Sequence, residues 1–477
     1  MSRREELIEL CGREPEVVVE LLLALEGKVS ELETKVSELE ARLKRTSRNS
    51  NQPPSSDGLK KPARQSSKSK RKGGGQAGRE GHTLRFSDKP DEVIRHEAAI
   101  CQDCGAELRG VAGTVLTRRQ EVELPQQPVQ VIEHQQIERV CPCCGRRNRG
   151  VLPEHLRGNV QYGRRFKAFC AYVMIYQLLP YERTAELLET LLGYRPGGGT
   201  LKRLLEEAYS ALEPIEKAIR TAIRGSPVGH GDETSLRIAG HTRWVHVFST
   251  PSYTHYYWSR YRGQKAHQAD GLLPSYEGVL MHDAYSSYFG HDYEHALCNA
   301  HLLRELQALY DLDPTQGWAW QLMRLLRVAW ALVKRAKAQD HSHLPADQQA
   351  RIQALFEQIV ARADQLNPPN QRQPGQRGRV PQSDARNLID RLILHQTAYL
   401  RFVSDFQVPF DNNLAERDLR MSKLQQKISG CFRTEQGADI FCRIRAYIST
   451  LRKQGHQLLP ALCSLFTDDP FFPTPAE

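Results

Sequence analysis

The hydrophobic positions of residues 15–44 repeat every seven residues. One heptad position is held by Leu22, Val29, Val36 and Leu43, and the position three residues later by Leu25, Leu32 and Leu39. Valine at the first position with leucine at the second favours a parallel two-stranded coiled coil. The pattern therefore predicts a coiled-coil helix over residues 1–44 that joins copies of the chain. A helix packed on its own protein is the alternative.

The heptad pattern ends before a polar segment, residues 45–85, that is rich in serine, glycine and proline. Residues 44–85 hold twelve lysines and arginines against two acidic residues, and the rest of the chain is balanced, so this stretch accounts for the formal charge of +10. Such a composition buries too little apolar surface to fold. We predict a disordered basic linker that contacts nucleic acid through cations such as Lys70, Arg71 and Lys72. A merely solvated linker is the alternative.

Two cysteine pairs follow the linker. Each is a CxxC motif followed by glycine, formed by Cys101 with Cys104 and by Cys141 with Cys144. Four such thiolates bind structural Zn²⁺ tetrahedrally, although the gap between the pairs exceeds the roughly 15–20 residues of a compact zinc ribbon. The pattern predicts a zinc-ribbon domain over residues 86–158. Cys143 is an alternative ligand to Cys141, and free buried thiols are the alternative to zinc.

Beyond residue 158 the hydrophobic period changes twice. Residues 159–224 have a helical period around a glycine-rich turn, which fits a DNA-binding helix-turn-helix or an ordinary bundle. From residue 225 short β-rich runs predict an antiparallel meander, which opens a domain over residues 225–450. A long helical stretch at about residues 305–405 predicts an insertion within this domain. Residues 451–477 are interpreted as a C-terminal tail.

Three acidic residues stand out in residues 225–450. Asp232 falls in the first predicted strand, and Asp283 ends a later apolar strand. Glu416 shares a helix face with Arg420 and Lys423, at i+4 and i+7. Carboxylates from separate elements can hold two divalent ions for phosphoryl transfer, with the cations on DNA phosphates. Without further evidence the pattern also has an ordinary structural interpretation. An acid at the end of a strand is often a cap, and Glu416 could form an ion pair with Arg420 on its own helix.

The chain resembles a DDE transposase of the insertion-sequence sixty-six family over nearly its whole length. The motifs that carry the resemblance are, in order, NSNQPPSSD, GGQAGREGH, GDETSLRI, LMHDAYSSY, CNAHLLREL, NNLAERDLR and ISGCFRTEQGADIFCRIRAYISTLRKQG. The resemblance implies an α/β ribonuclease-H-like catalytic core in which Asp232, Asp283 and Glu416 are the catalytic acids and hold Mg²⁺ or Mn²⁺. Glu233 and Asp411 are the nearest alternatives to these acids.

The chain also departs from the family's pattern. Members often carry Arg-Pro after the Glu-Arg block and a later Arg-Lys-Asn, where this chain has Arg-Met and Gln-Lys-Ile, so the role of Lys423 stays open. Cys298, His301 and Arg304 match the family's C-x-x-H-x-x-R motif. Because the first two offer only two metal ligands, we interpret them as a packed thiol and a hydrogen-bonded histidine.

The function expected from these patterns is cleavage of the ends of the chain's own insertion element and joining to target DNA. No run of eighteen apolar residues occurs, and the start MSRREELIEL does not resemble a signal peptide, so we expect a cytoplasmic protein without a membrane partner. We expect a homodimer or higher oligomer, with accessory proteins of the same element as candidate partners. The competing hypotheses are a DNA-binding regulator without catalysis, a coiled-coil scaffold, and a metal-dependent nuclease that does not join.

Overall fold

The computed structural model describes residues 86–112, 114–122, 129–156, 158–372 and 377–474, together with scattered residues between positions 16 and 36. The described residues divide into two compact units. The smaller unit comprises the described residues from 86 to 156 together with Leu187–Tyr194. The larger unit comprises the other described residues. No helix among the described residues is both long and apolar enough to cross a membrane.

The basic linker of residues 45–85, with Lys70, Arg71 and Lys72, and most of the heptad segment lie outside the described residues. The heptad residues that are described are helical. Among them, the apolar side chains that are at least half exposed are Leu25, Val29, Leu32 and Val36. These side chains are open to a partner helix, and the coiled coil stays a prediction.

A short hairpin organises the smaller unit. Strands β1 (Glu138–Val140) and β2 (Arg147–Arg149) pair antiparallel, and Glu138 forms ion pairs with Arg147 and Arg149 at 3.0 and 2.6 Å. The second CxxC motif is the turn of this hairpin. The first lies in a similar turn, closed by a bridge between Ile100 and Glu107.

Residues 159–224, which the hydrophobic period predicts to be helical, contain four α-helices and one π-helical turn, Tyr172–Tyr176. The α-helices are α1 (Arg164–Ala171), α2 (Tyr181–Leu192), α3 (Gly198–Ala211) and α4 (Glu213–Arg224). Residues 193–197 join α2 to α3, a longer connection than the three or four residues of a helix-turn-helix. One face of α3 is buried, with Leu201 and Leu205 at most 3% exposed.

A five-stranded mixed sheet forms the centre of the larger unit, in the order β5-β4-β3-β6-β7. Its strands are β3 (Val228–Ile238), β4 (His241–Ser249), β5 (Thr254–Ser259), β6 (Val279–His282) and β7 (Glu294–Leu297). The first three form the predicted antiparallel meander, and β6 and β7 lie parallel to β3. The short helix α5 (Gln264–Asp270) lies between β5 and β6. This mixed α/β sheet is compatible with the ribonuclease-H-like core that the resemblance implies.

Five helices follow β7 where the sequence predicts a helical insertion. They are α6 (Asn299–Leu312), α7 (Gly317–Lys337), α8 (Ala346–Leu366), α9 (Asp384–Leu394) and α10 (Gln396–Ser404). Their apolar faces meet in one cluster, in which Trp318 and Phe356 are at most 2% exposed. Burial of these amphipathic faces gives the insertion its own core.

The last three helices return the chain to the sheet. They are α11 (Asn413–Ser429), α12 (Glu435–Lys453) and α13 (Leu458–Ser464). Helix α11 packs on β3 and β4, and α12 packs on β5. Residues 451–477 are therefore not a plain tail: Leu462 of α13 is fully buried, and the backbone of Phe471 accepts a hydrogen bond from Tyr447 at 2.9 Å.

Candidate active site

The first two acids of the site are neighbours on β3. Successive side chains of a strand point to opposite faces, which separates Asp232 from Glu233. The Glu233 side chain is 1% exposed and accepts hydrogen bonds from Arg262 at 2.8 Å and from the Tyr288 hydroxyl at 2.6 Å. In the described part of the chain, the hydrogen bond to the Asp232 carboxylate comes from the backbone N–H of Glu233, at 2.8 Å. Glu233 is thus a held structural carboxylate, and Asp232 is available to a ligand.

Asp283 follows the last residue of β6. Its carboxylate accepts the backbone N–H of Tyr285 at 3.0 Å, which fixes the turn, and Ala284 within this turn has a left-handed φ of 68°. A non-glycine residue in that conformation is uncommon and costs energy, and such residues concentrate at functional sites. The turn directs the chain away from the sheet directly after β6, where β6 lies next to β3.

Glu416 lies in the first turn of α11, and its side chain is 26% exposed. Among the described residues, its buried Oε1 atom has no hydrogen-bond partner, although His301 Nδ1 lies 3.6 Å away and an Arg304 nitrogen 3.8 Å away. The other two acids near this turn are engaged: Asp411 accepts the backbone N–H of Asn413 at 3.1 Å, and Asp418 binds Lys453 at 2.8 Å. Of these three acids, Glu416 is the one with a buried oxygen that lacks a hydrogen-bond partner among the described residues.

The predicted acids interact electrostatically, although in the described part of the chain their oxygens do not all lie within 4.8 Å of one another. Burial raises the pKa of Asp232 well above its ordinary value, and the charges of Glu233, Asp283 and Glu416 raise it further. Burial and the charge of Asp283 likewise raise the pKa of Glu233, against the opposing hydrogen bonds from Tyr288 and Arg262. Several carboxylates therefore repel one another here, and a bound divalent cation would relieve this repulsion.

Asn412 connects the elements of this site, and the sequence analysis did not identify it. It is fully buried. Its side chain donates to the Gly231 carbonyl and bonds to His230 Nδ1, both at 2.9 Å, next to Asp232 on β3. Its backbone N–H donates to Cys298 Sγ at 3.2 Å, and its carbonyl accepts from Glu416 at 3.2 Å. Asn412 thus fixes the start of α11 against β3.

The two cations expected on the Glu416 face of α11 differ in their surroundings. Arg420 is exposed and open to a DNA phosphate. Lys423 is partly buried and donates to the backbone carbonyl and hydroxyl of Ser235, which ties α11 to β3. Burial lowers the pKa of Lys423, as does the nearby charge of Lys427. Of these two cations, Arg420 has the exposed side chain that phosphate binding requires, whereas Lys423 is bound to Ser235.

An open groove of about 590 Å³ lies beside the turn after Asp283. It is lined by Tyr261, Arg262, Gly263, Gln264, Lys265, Tyr285, Ser286 and Ser287. The Arg262 guanidinium lies 4.0 Å from the Tyr285 ring centre while it holds Glu233. Cations, hydroxyls and exposed aromatic rings are the groups that bind single-stranded nucleic acid.

The cysteine pairs of the smaller unit form two similar turns. The backbone N–H groups of Gly105 and Gly145 donate to the Cys101 and Cys141 carbonyls at 3.0 and 2.9 Å, and both glycines have positive φ. Hydrogen bonds from Cys104 and Asp103 lower the pKa of Cys101, as those from Cys144 and Cys143 lower that of Cys141. Each first cysteine is thus prepared for the thiolate form.

The structure does not bring the two cysteine pairs within ligand distance. In the part of the chain that the structure describes, one group of three potential metal ligands lies within 4.8 Å of one another, and it contains none of these cysteines. Cys143 and Cys144 are exposed, and Cys141 is partly buried. Zinc binding by the four cysteines, and the choice between Cys141 and Cys143, stay predictions.

That one group is Cys298, His301 and Glu416. The interpretation of Cys298 as a packed thiol agrees with its 2% exposure. However, His301 Nδ1 has no hydrogen-bond partner among the described residues, so the expectation of a hydrogen-bonded histidine was wrong at this atom. The third ligand was missed because Glu416 is distant in the sequence and reaches the pair only through the packing of α11.

The geometry defines a mixed α/β domain that gathers carboxylates at the junction of β3, β6 and α11. The family described as "Transposase IS66 family" matches residues 159–440, which is more than half of the chain, and a family of unknown function (DUF6444) matches residues 5–85. No curated protein matches the chain. The chain belongs to the transposase IS66 family. It is a transposase, and its substrate is therefore DNA.

Proposed function

We propose that this transposase cuts DNA at the ends of its own insertion element and joins the freed 3′ ends to target DNA, by metal-dependent phosphoryl transfer. The observation that carries the proposal is the mutual repulsion at Asp232. Its pKa is raised by burial and by the charges of Asp283 and Glu416, which come from β6 and α11. Acids from three separate elements thus interact electrostatically, and the backbone N–H groups that Asp232 and Asp283 accept leave oxygens of both carboxylates open to a cation.

The residues present fit a divalent metal site. Asp232, Asp283 and Glu416 supply oxygen ligands, the donor type that Mg²⁺ and Mn²⁺ prefer. The Glu416 Oε1 atom is buried without a hydrogen bond, and such an atom is costly unless a ligand satisfies it. When bound, two divalent ions activate the attacking oxygen and stabilise the leaving oxygen of an in-line displacement.

The proposed roles follow from position. Asp232 would be the central ligand, because it is the acid whose pKa responds to both Asp283 and Glu416. Asp283 and Glu416 would supply the other carboxylate ligands. Glu233 and Arg262 are positioning residues, since their 2.8 Å ion pair fixes β3 beside the turn after Asp283. The same acids serve first the water that cuts the DNA strand and then the 3′-hydroxyl that joins it.

The remaining parts of the chain are proposed to bind DNA and to join protomers. The basic linker, through Lys70, Arg71 and Lys72, and the exposed Arg420 on α11 contact phosphates. Zn²⁺ at the paired cysteines supports the fold of residues 86–158 in a structural role. The half-exposed apolar residues of the heptad segment pair two protomers, because transposition must bring two DNA ends together.

The test is an end-cleavage and strand-transfer reaction with full-length protein, labelled DNA carrying the element end, and Mg²⁺ or Mn²⁺. Wild-type protein is expected to cut the end and join it to target DNA. The D283N variant is expected to lose both steps by about 10³-fold or more, the scale seen when a central catalytic group is removed.

The matched control is Asp411→Asn, because Asp411 binds only its own turn in the structure and asparagine keeps that acceptor. D411N is expected to retain activity. Cleavage without joining would favour a simple nuclease, and DNA binding without cleavage, with accessory proteins supplied, would favour a regulator. Full activity of D283N would contradict the proposed site.

A further inference from the structure

Cys298 and His301 lie on one rigid element beside the proposed catalytic acids. Cys298 is the N-cap residue of α6, its backbone N–H is held by the His282 carbonyl at 2.9 Å, and His301 lies in the first turn of the helix. Residues three apart on a helix share a face. The thiol and the imidazole are therefore presented together, and the packing of α11 brings Glu416 to them.

Two buried atoms in this group have no hydrogen-bond partner among the described residues, although Glu416 Oε1 also lies 3.8 Å from an Arg304 nitrogen. They are His301 Nδ1 and Glu416 Oε1, which lie 3.6 Å apart. A direct hydrogen bond at that separation is too long. One thiol sulfur, one imidazole nitrogen and one carboxylate oxygen of the three residues all lie within 4.8 Å of one another. An ion bound between them would satisfy both orphaned atoms at once.

We propose that Cys298, His301 and Glu416 form a binding site for a borderline-soft divalent transition metal of the Zn²⁺ class. Thiolate and imidazole select such ions over Mg²⁺. Binding exchanges the Cys298 thiol proton, released to solvent, for the ion, and the resulting thiolate and carboxylate balance its two positive charges. Three protein ligands leave the fourth tetrahedral position open.

This site is distinct from the proposed catalytic metal site in its donor set, but it uses the same carboxylate. Asp232 and Asp283 offer only oxygen and are not members of the Cys298–His301–Glu416 group. The inference rests on the proposed function only for the statement that the two kinds of ion share Glu416. Binding of the transition metal itself does not depend on whether the chain cuts DNA.

The test is a Co²⁺ titration of reduced, metal-free full-length protein, followed by the thiolate-to-Co²⁺ absorption and by the number of ions bound. Co²⁺ is the probe because it takes the tetrahedral sulfur and nitrogen sites of Zn²⁺ and is coloured. Relative to wild type, C298S and H301Q are each expected to bind one Co²⁺ ion fewer per chain. Glu416→Gln is expected to weaken this ion by at least about tenfold, as a lost ligand requires.

Two controls separate this site from the paired cysteines and from misfolding. Cys442→Ser makes the same change at another buried cysteine, in α12, and is expected to keep the wild-type number of ions. C104S removes a cysteine of the paired motifs. Any bound Co²⁺ that C104S loses is expected to be lost in addition to the ion that C298S loses. Thermal unfolding of each variant checks that the chain is folded, and His301, on the partly exposed start of α6, provides a second route if C298S is unstable.

Coincident titrations of wild type, C298S and H301Q would overturn the proposal, as would an equal loss in C442S. The D232N variant keeps the two proposals apart, because Asp232 is not a ligand of this ion and D232N is expected to retain the Co²⁺ signal. If D232N cuts DNA while the Cys298-dependent Co²⁺ remains, the catalytic assignment fails and the transition-metal site stands.

Discussion

The two predicted ligand sets of this chain, the carboxylates on the five-stranded sheet and the paired cysteines before it, are built in opposite ways. The carboxylates Asp232, Asp283 and Glu416 are far apart in the sequence, and β3, β6 and α11 bring them near enough to interact electrostatically, although their oxygens do not all lie within 4.8 Å of one another. The cysteines lie in two short local turns whose backbone geometry is complete, yet the turns do not meet within ligand distance.

The two sites obtain their order from different sources. The carboxylates are fixed by packing, because a buried sheet and the Asn412 hydrogen bonds hold them together in spite of their repulsion. The residues of the smaller unit bury little: Val140 at its hairpin is 60% exposed. We infer that the smaller unit needs an ion to complete its structure, whereas the larger unit is built before its ion arrives.

The largest effect is expected where two adjacent acids on β3 are compared. Asp232→Asn should reduce cleavage by about 10³-fold or more, while it raises stability because it removes a repelled charge. Glu233→Gln should keep measurable cleavage but lose about 1–2 kcal/mol of unfolding free energy, through the weakened hydrogen bonds to Arg262 and Tyr288. Cleavage assays and thermal unfolding of both variants check this; equal losses of activity would remove the distinction between the two faces of the strand.

The next effect concerns the choice of zinc ligands in the smaller unit. Cys141→Ser should abolish zinc binding at the paired cysteines, whereas Cys143→Ser should preserve it. The reason is that hydrogen bonds from the backbone N–H groups of Cys144 and Cys143 lower the pKa of Cys141, which favours its thiolate form. Zinc content per chain, measured in a C298S background, checks this; zinc lost only in C143S would reverse the assignment.

A smaller effect is expected in the pH dependence of stability. Because the folded-state pKa of Asp232 is raised, the folded chain holds a proton that the unfolded chain has already released. Stability without metal should therefore fall as pH rises from the ordinary aspartate pKa to the raised value, and this fall should vanish in D232N. Mg²⁺ should raise the melting temperature more at high pH than at low pH, since protons compete with the ion. A pH-independent Mg²⁺ effect would contradict this linkage.

The smallest effect distinguishes the two cations of α11. Arg420→Ala should weaken DNA binding and reduce the slope of log affinity against log salt by about 1, as expected for one lost phosphate contact. Lys423→Met should leave that slope unchanged and cost about 1 kcal/mol of stability, because Lys423 is bound to Ser235. Salt-dependent DNA binding of both variants gives the answer, and a reduced slope in K423M would show that it reaches DNA.

Much of the larger unit was predictable because its signals are local. The β-rich runs gave the meander that begins with Asp232, and amphipathic periods gave the helical insertion, since both patterns report which faces are buried. The end of the chain was not predicted: the short α13 has too few residues for a clear period, and its burial depends on packing against α1.

The acids could be proposed from the order of the motifs, but the residues that surround them in the fold could not be predicted. The sequence analysis left Asp411 as an alternative to Glu416, and only tertiary contacts show that Glu416 faces His301. The pairing of Cys298 and His301 with Glu416 depends on the packing of α11 in the same way. Local spacing could supply two of those ligands and not the third.

The most direct test of the proposed metal site is Mn²⁺ binding to full-length protein, measured from the paramagnetic resonance of the free ion, for wild type, D232N and E233Q. We expect D232N to weaken Mn²⁺ binding by about 100-fold or more, as loss of a shared ligand should, and E233Q to stay within a few-fold of wild type. Equal Mn²⁺ affinity of D232N and wild type, or an equal loss in E233Q, would contradict the claim that Asp232 anchors the metal site.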